Sequence, residues 1–377
     1  MSFVLIDDPS RAHLLERSLQ GKERVALDCE AAGFHRYSDR LCLVQLSVPT
    51  QDFILDPLRL DLSGLLRSTL EDPAVEVVVH GADYDMRLLD RDLGIRPNRL
   101  FDTQAAAALL GEPSLGLAGL LERHLGVELS KKYQRADWAA RPLPDEMLEY
   151  AASDTRHLVQ LAGLLRDRLS ELGRLEWAQE EFRQLQGVRW DGDEGEDPVV
   201  KVRGARDLPL RQLAALREAL AWRDRLARDR DRAPFRVAGD PALLEAARSR
   251  PRTVEELARV PGMNPGLARA EGPDLLSRFD RVDALPPSEL VPYPRRGGDG
   301  RGRPPPEVEE LAERLKEVRN RRAEALGIDR GTLLANSVLV EIAWQGPSTL
   351  GGLREVPGVK VWQAEAVGKE LMEVLRR

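Results

Sequence analysis

The sequence predicts an α/β domain built on a mixed sheet, followed by two all-helical units. Three observations carry this expectation. Short apolar, β-branched runs alternate with helical periodicity through the first 186 residues. From residue 203 onward the pattern is helical on either side of a Pro/Gly-rich run. Within that region two segments repeat at a constant offset of 96: Leu257 matches Leu353, Val260-Pro261-Gly262 matches Val356-Pro357-Gly358, Thr253 matches Thr349, Leu243 matches Leu339 and Arg223 matches Arg319. A helix and a Val-Pro-Gly turn kept in one register mark a duplication.

Residues 3–23 read as a short strand and an amphipathic helix carrying Leu14, Leu15 and Leu19. Residues 24–34 form a buried strand ending at Gly33, and a polar turn leads to a second strand at 41–48. A third follows at 53–57, then a helix with Leu62, Leu65, Leu66 and Leu70. Residues 76–80 are a β-branched strand bounded by Gly81 and feeding a helix over 83–93. A short strand at 100–102 opens an Ala-rich helix, and helices dominate to Phe182. The acidic, Gly-containing run at 187–202 and the Pro/Gly-rich run at 286–306 are expected linkers. They delimit units at 1–186, 203–285 and 307–377.

The chain has 377 residues, enough for two or three cores, and a net charge of −7. Residues 201–377 hold 33 Lys+Arg against 27 Asp+Glu, which leaves 23 against 36 in residues 1–200. A nucleic-acid partner held from the basic rear half is compatible with this asymmetry, and solvated helix faces account for it equally. No run of eighteen apolar residues occurs and the N-terminus lacks a basic segment before an apolar one, so a cytoplasmic location and no membrane contact are expected. The two cysteines, Cys29 and Cys42, fall in strands and read as small buried hydrophobes, with neither a disulfide nor a zinc site.

Four stretches carry chemistry. In the first strand Asp28 and Glu30 lie at i and i+2, so they share a face opposite Val25, Leu27 and Cys29. Two adjacent acids on an apolar strand repel each other unless a cation sits between them. At His80-Gly81-Ala82-Asp83-Tyr84-Asp85 a strand end meets a helix start, where open sheets place their chemistry, although a helix cap alone explains either Asp. On the helix after Pro144, Met147, Tyr150, Asp154, Leu158, Leu161 and Leu165 share one stripe. An acid there is costly unless it is paired, and Tyr150 reaches the same patch from i−4. Residues 130–143 interleave Lys131, Lys132, Arg135 and Arg141 with Tyr133 and Trp138, which suits phosphates and bases and equally describes a solvated loop pinned by one buried Trp.

Together these stretches resemble the ribonuclease D family of 3′→5′ exonucleases, which belongs to the four-acid (DEDD) nucleases with a ribonuclease H-like fold. Asp28 and Glu30 correspond to the family's first motif, Asp85 to the second, and Tyr150 with Asp154 to the third. Glu149 stands where a sister subclass has His, which assigns the chain to the Tyr subclass. The helical repeats resemble two HRDC domains; the second is more divergent, with Gly331 where the first has Phe235.

The resemblance implies a metal-dependent exoribonuclease that trims structured RNA, tRNA precursors above all, and releases nucleoside 5′-monophosphates. Asp28, Glu30, Asp85 and Asp154 would hold two divalent ions, Mg²⁺ or Mn²⁺, and Tyr150 would orient the attacking water. Gln45, His80, Lys131, Arg135, Trp138 and Arg141 are candidate substrate contacts. Asp102 reads as an N-cap. Single-stranded DNA is the alternative substrate, and a scaffold with a decayed nuclease the alternative class. The presence of all four acids and the tyrosine disfavours the scaffold.

Overall fold

The structure, a computed structural model, describes residues 3–192, 195–294 and 304–376. The centre of the expected acidic linker (193–194) and much of the Pro/Gly linker (295–303) lie outside the described residues.

The first domain is a six-stranded mixed sheet ordered β1 (Phe3–Ile6), β4 (Gln51–Leu55), β3 (Leu41–Val48), β2 (Arg24–Ala31), β5 (Glu76–Val79), β6 (Leu100–Asp102). β2 lies in the middle, antiparallel to β3 and parallel to β5. Helices α1 (Ala12–Leu19), α2 (Ser63–Leu70), α3 (Asp83–Leu88), α4 (Thr103–Leu110), α5 (Leu117–Leu125), α6 (Asp145–Arg156), α7 (Leu158–Glu171) and α8 (Leu175–Gln186) complete the domain. Both edges of β2 are thus paired, and α6 and α7 pack against it, which is why Val25, Ala26 and Leu27 are buried in succession. The helix expected over 83–93 changes to π-type geometry at Leu89–Leu93.

The sheet divides two sets of side chains. Leu27, Cys29, Val44, Leu46, Phe53 and Leu55 join the main core with α4 and α7. Leu43 and Ile54 face the other way, under α6, with Met147, Tyr150, Ala151 and Trp138. The stripe predicted from Met147 to Leu165 is not one helix: α6 ends at Arg156, His157 leaves helical geometry, and α7 begins at Leu158.

The two helical units correspond element by element. The first contains α9 (Leu210–Asp229), α10 (Pro234–Val237), α11 (Asp240–Ser249), α12 (Val254–Ala258) and α13 (Pro265–Ala284). The second contains α14 (Pro306–Leu326), α15 (Arg330–Leu333), α16 (Asn336–Gln345), α17 (Leu350–Arg354) and α18 (Val361–Leu375). The conserved register has physical content. Arg223 donates to the Ala238 carbonyl and Asp240, and Arg319, 96 residues on, donates to the Leu334 carbonyl and Asn336. Thr253 and Thr349 accept from backbone amides at the starts of α12 and α17. Gly262 and Gly358 take φ of +82° and +87°, the left-handed region that makes Gly the default residue of both turns.

The units differ in what they pack against. The first has its own core, centred on Trp222, Leu243, Leu257 and Phe279. The second shares one continuous core with the sheet domain. Trp362 of α18 stacks on Trp177 of α8 at 4.9 Å, and its indole N–H donates to Glu181 at 2.8 Å. Glu180 accepts from the Val361 and Trp362 amides, an anionic cap on the first turn of α18. Gly111 lies so close to the Gly327 carbonyl that a Cβ there would collide with backbone.

Candidate active site

β2 delivers the first two acids as strand alternation requires. Cys29 is buried in the main core, and Asp28 and Glu30 project from the opposite face. Directly across the ladder from Asp28 is Gln45 of β3. Asp85 comes from the first turn of α3 and is only 5% exposed.

The α3 turn is held by Asp102, which accepts from Gly81 N (3.1 Å) and Ala82 N (2.8 Å) as well as from Gln104 N and Ala105 N of α4. The expected N-cap of α4 thus also pins the start of the helix bearing Asp85. Asp102→Ala would leave four backbone donors, that of Ala82 buried, without this carboxylate. The expected result is a loss of about 2–4 kcal/mol in urea denaturation, with lowered nucleotide release in the folded protein. Unchanged stability would contradict the role.

Asp154 and Tyr150 come from α6, one turn apart. This helix is held at both ends by arginine–aspartate pairs. Arg141, just before it, donates to Asp56 at 2.7 and 2.9 Å and to the Cys42 carbonyl. Arg156, its last residue, donates to Asp52 at 2.6 Å, and Asp52 accepts from Ser47, whose hydroxyl also meets Thr155 at 2.7 Å. These bonds tie α6 to β3 and β4.

The carboxyl oxygens of Asp28, Glu30 and Asp154 come within 4.8 Å of one another. Asp85 lies outside that trio but is close enough for its charge to act on Glu30 and to feel that of Asp28. Burial pushes the Asp28 carboxyl up to about 6. Burial, then the charge of Asp28, pushes Asp154 up to about 8. Glu30 and Asp85 are raised well above the usual range, again by burial first and neighbouring acids second. Among the described residues no cationic side chain offsets these shifts. Hard oxygen donors packed together without a cation fit a Mg²⁺- or Mn²⁺-type ion, whose charge would reverse each of these shifts. Tyr150 is raised by burial and by the acids, so it stays a neutral phenol. Its ring packs on Trp138 at 6.1 Å and edge-on to Tyr133 at 5.8 Å.

The candidate substrate contacts divide. A cleft of about 660 Å³ is lined by Asp28, Tyr150 and Asp154 together with His80, Lys131 and Gln134. His80 bonds to the Thr103 hydroxyl at 2.9 Å, and burial lowers its pKa, which keeps the ring neutral. Arg135 is exposed beside the ring of Phe34. The other three require correction. Gln45 is 0% exposed beneath α6, and neither of its amide atoms has a partner among the described residues. Trp138 is 2% exposed and supports Tyr150 from behind. Arg141 is committed to Asp56 and backbone carbonyls. Arg141 braces the start of α6, and Trp138 backs Tyr150 while edging a cavity beside Glu30. Sequence reasoning missed Phe34, Tyr37 and Tyr84, whose positions near the cluster depend on contacts with distant segments.

Residues 3–170 match the family model described as 3′-5′ exonuclease, and residues 212–278 and 308–375 each match the HRDC domain. Ribonuclease D of Pseudomonas paraeruginosa is 32% identical over 374 residues, which is 98% of this chain and 96% of that protein. The chain belongs to the ribonuclease D family. The crystal structure of Escherichia coli RNase D, described as an exoribonuclease involved in structured RNA processing, superposes with a TM-score of 0.73 at 26% identity, covering 100% of this chain and 99% of that one. A Bifidobacterium adolescentis protein superposes at 0.82 with 25% identity, covering 100% and 96%. The chain is a 3′→5′ exoribonuclease by family, in a class whose chemistry depends on divalent metal. No helix among its described residues is long and apolar enough to cross a membrane.

Proposed function

We propose that the protein hydrolyses structured RNA from the 3′ end, tRNA precursors above all, releasing nucleoside 5′-monophosphates in the cytoplasm. The observation that carries this reading is the convergence of Asp28, Glu30 and Asp154 within 4.8 Å, with Asp85 buried alongside and with Asp28 and Asp154 lining a cleft that also holds Lys131. Two divalent ions, Mg²⁺ or Mn²⁺, bound by these four carboxylates would supply charge neutralisation for the phosphodiester and lower the pKa of the attacking water.

The chain's own groups do the rest. Asp28 and Glu30 are fixed by the sheet ladder, and Asp154 by the Arg156–Asp52 pair, so the carboxylates need little rearrangement to bind. Tyr150, neutral and wedged between Trp138 and Tyr133, orients the water through its hydroxyl and does not act as a base. Lys131, exposed at the cleft wall, meets the negative strand.

Removal and return of metal tests this reading. EDTA should abolish nucleotide release, and Mg²⁺ or Mn²⁺ should restore it. Because Asp154 is pushed up to about 8 without metal, Mn²⁺ titration at pH 7 should release protons. Chelator-resistant cleavage, or binding without proton release, would contradict it.

A further inference from the structure

The first HRDC unit reaches the active-site side of the exonuclease domain through the loop that follows β2. The Ala233 amide donates to the His35 carbonyl at 3.1 Å, and Arg236 donates to the Phe34 carbonyl at 2.6 Å. Tyr37 donates to Asp224 at 2.9 Å, and Arg36 links Asp137 to Asp231 at 2.7 and 3.4 Å. This polar clamp brings Phe34 of one domain and Phe235 of the other to 5.5 Å, with their rings tilted by 53°.

Both rings stay open to solvent, at 37% and 52% exposure. An aromatic pair that served only to glue two domains together would bury that apolar area. Instead the rings carry cations: Arg236 lies 4.6 Å from the Phe34 centroid and 5.8 Å from that of Phe235, and Arg135 lies 5.7 Å from Phe34. Phe34 and Phe235 line a second cavity, of about 580 Å³, whose wall includes Glu30. Gln134 lines both this cavity and the carboxylate cleft, so the two adjoin on either side of the acids.

We propose that this interdomain pocket stacks a nucleobase of the RNA strand upstream of the scissile phosphate. Exposed aromatic faces flanked by guanidinium groups meet the two needs of a single strand, stacking for bases and positive charge for phosphates. Since one wall belongs to the HRDC unit, the pocket exists only with that unit docked, and it serves only substrates long enough to extend past Glu30. The second unit has Gly331 where the first has Phe235, and no such pocket follows from it. The proposal rests on the exoribonuclease reading above.

The test uses the full chain. An octamer RNA carrying 2-aminopurine at successive positions is bound to the Asp154→Asn protein, so that it is held uncut. Quenching is expected at one upstream position. Adding Phe235→Ala should remove it, and Phe235→Tyr should keep it. In the otherwise native enzyme Phe235→Ala should raise KM for the octamer roughly ten-fold and leave kcat and dinucleotide turnover unchanged. Quenching that survives Phe235→Ala, or a dinucleotide affected as much as the octamer, would overturn the proposal. A wild-type protein that degrades no RNA would instead defeat the exoribonuclease reading.

Discussion

Asp154→Asn is expected to lower nucleotide release by about 10³-fold or more, while making the metal-free protein more stable above pH 7. The first effect follows from removing one of three carboxylates whose oxygens lie within 4.8 Å, in a site whose chemistry is charge stabilisation. The second has the opposite sign from a structural residue's loss. Asp154 is pushed up to about 8 in the fold, against about 3.8 in the unfolded chain, so the folded state binds the extra proton. Its contribution to stability is therefore greatest below pH 4 and falls as pH rises toward 8. Asn carries no such charge. Melting curves with EDTA should thus separate wild type from variant progressively between pH 4 and 8, with the variant higher at the alkaline end. Mg²⁺ should narrow the gap by stabilising only the wild-type site. A variant that is inactive and also less stable at pH 8 would mark Asp154 as a packing residue.

Trp362→Ala is expected to cost about 3–5 kcal/mol, the range for deleting a large buried aromatic. The indole is buried, stacks on Trp177 and donates to Glu181 from a core that the second HRDC unit shares with the exonuclease domain. The loss should therefore lower the urea midpoint of the catalytic domain itself, read as the midpoint of activity loss, although Trp362 lies on another domain. Octamer turnover at low temperature should stay near wild type. A midpoint shift in α14–α18 alone, with the nuclease midpoint unmoved, would contradict the shared core. For the same reason, cutting the chain after residue 200 would strip apolar cover from α8.

Local pattern and tertiary contact divide what could be read in advance. The i, i+2 acids of β2 follow from strand alternation, and Asp154 from its place on an apolar helical stripe. The helical duplication is visible because each unit repeats the same internal bonds, Arg223 to Ala238 and Arg319 to Leu334. The π-type turn at Leu89–Leu93 and the break at His157 carry no Gly or Pro to announce them.

The misassigned residues share one cause. Arg141 and Trp138 have the composition of a nucleic-acid surface, and only the partners that sequence does not reveal, Asp56 and Tyr150, turn them inward. Gln45 is polar in a strand, and burial beneath α6 depends on a helix a hundred residues away. Phe34 and Phe235 meet across 201 residues, a separation that no periodicity records.

The central claim, that the carboxylate cluster cuts RNA one nucleotide at a time from the 3′ end, is tested most directly by product analysis. Matched RNA and DNA oligonucleotides with a tRNA-like 3′ tail, labelled at the 5′ end, are followed in time with Mg²⁺. The account predicts a ladder shortening from the 3′ end of the RNA, nucleoside 5′-monophosphates as the small product, and slower loss of the DNA. Internal fragments, 3′-monophosphates, or equal activity in the Asp154→Asn protein would contradict it.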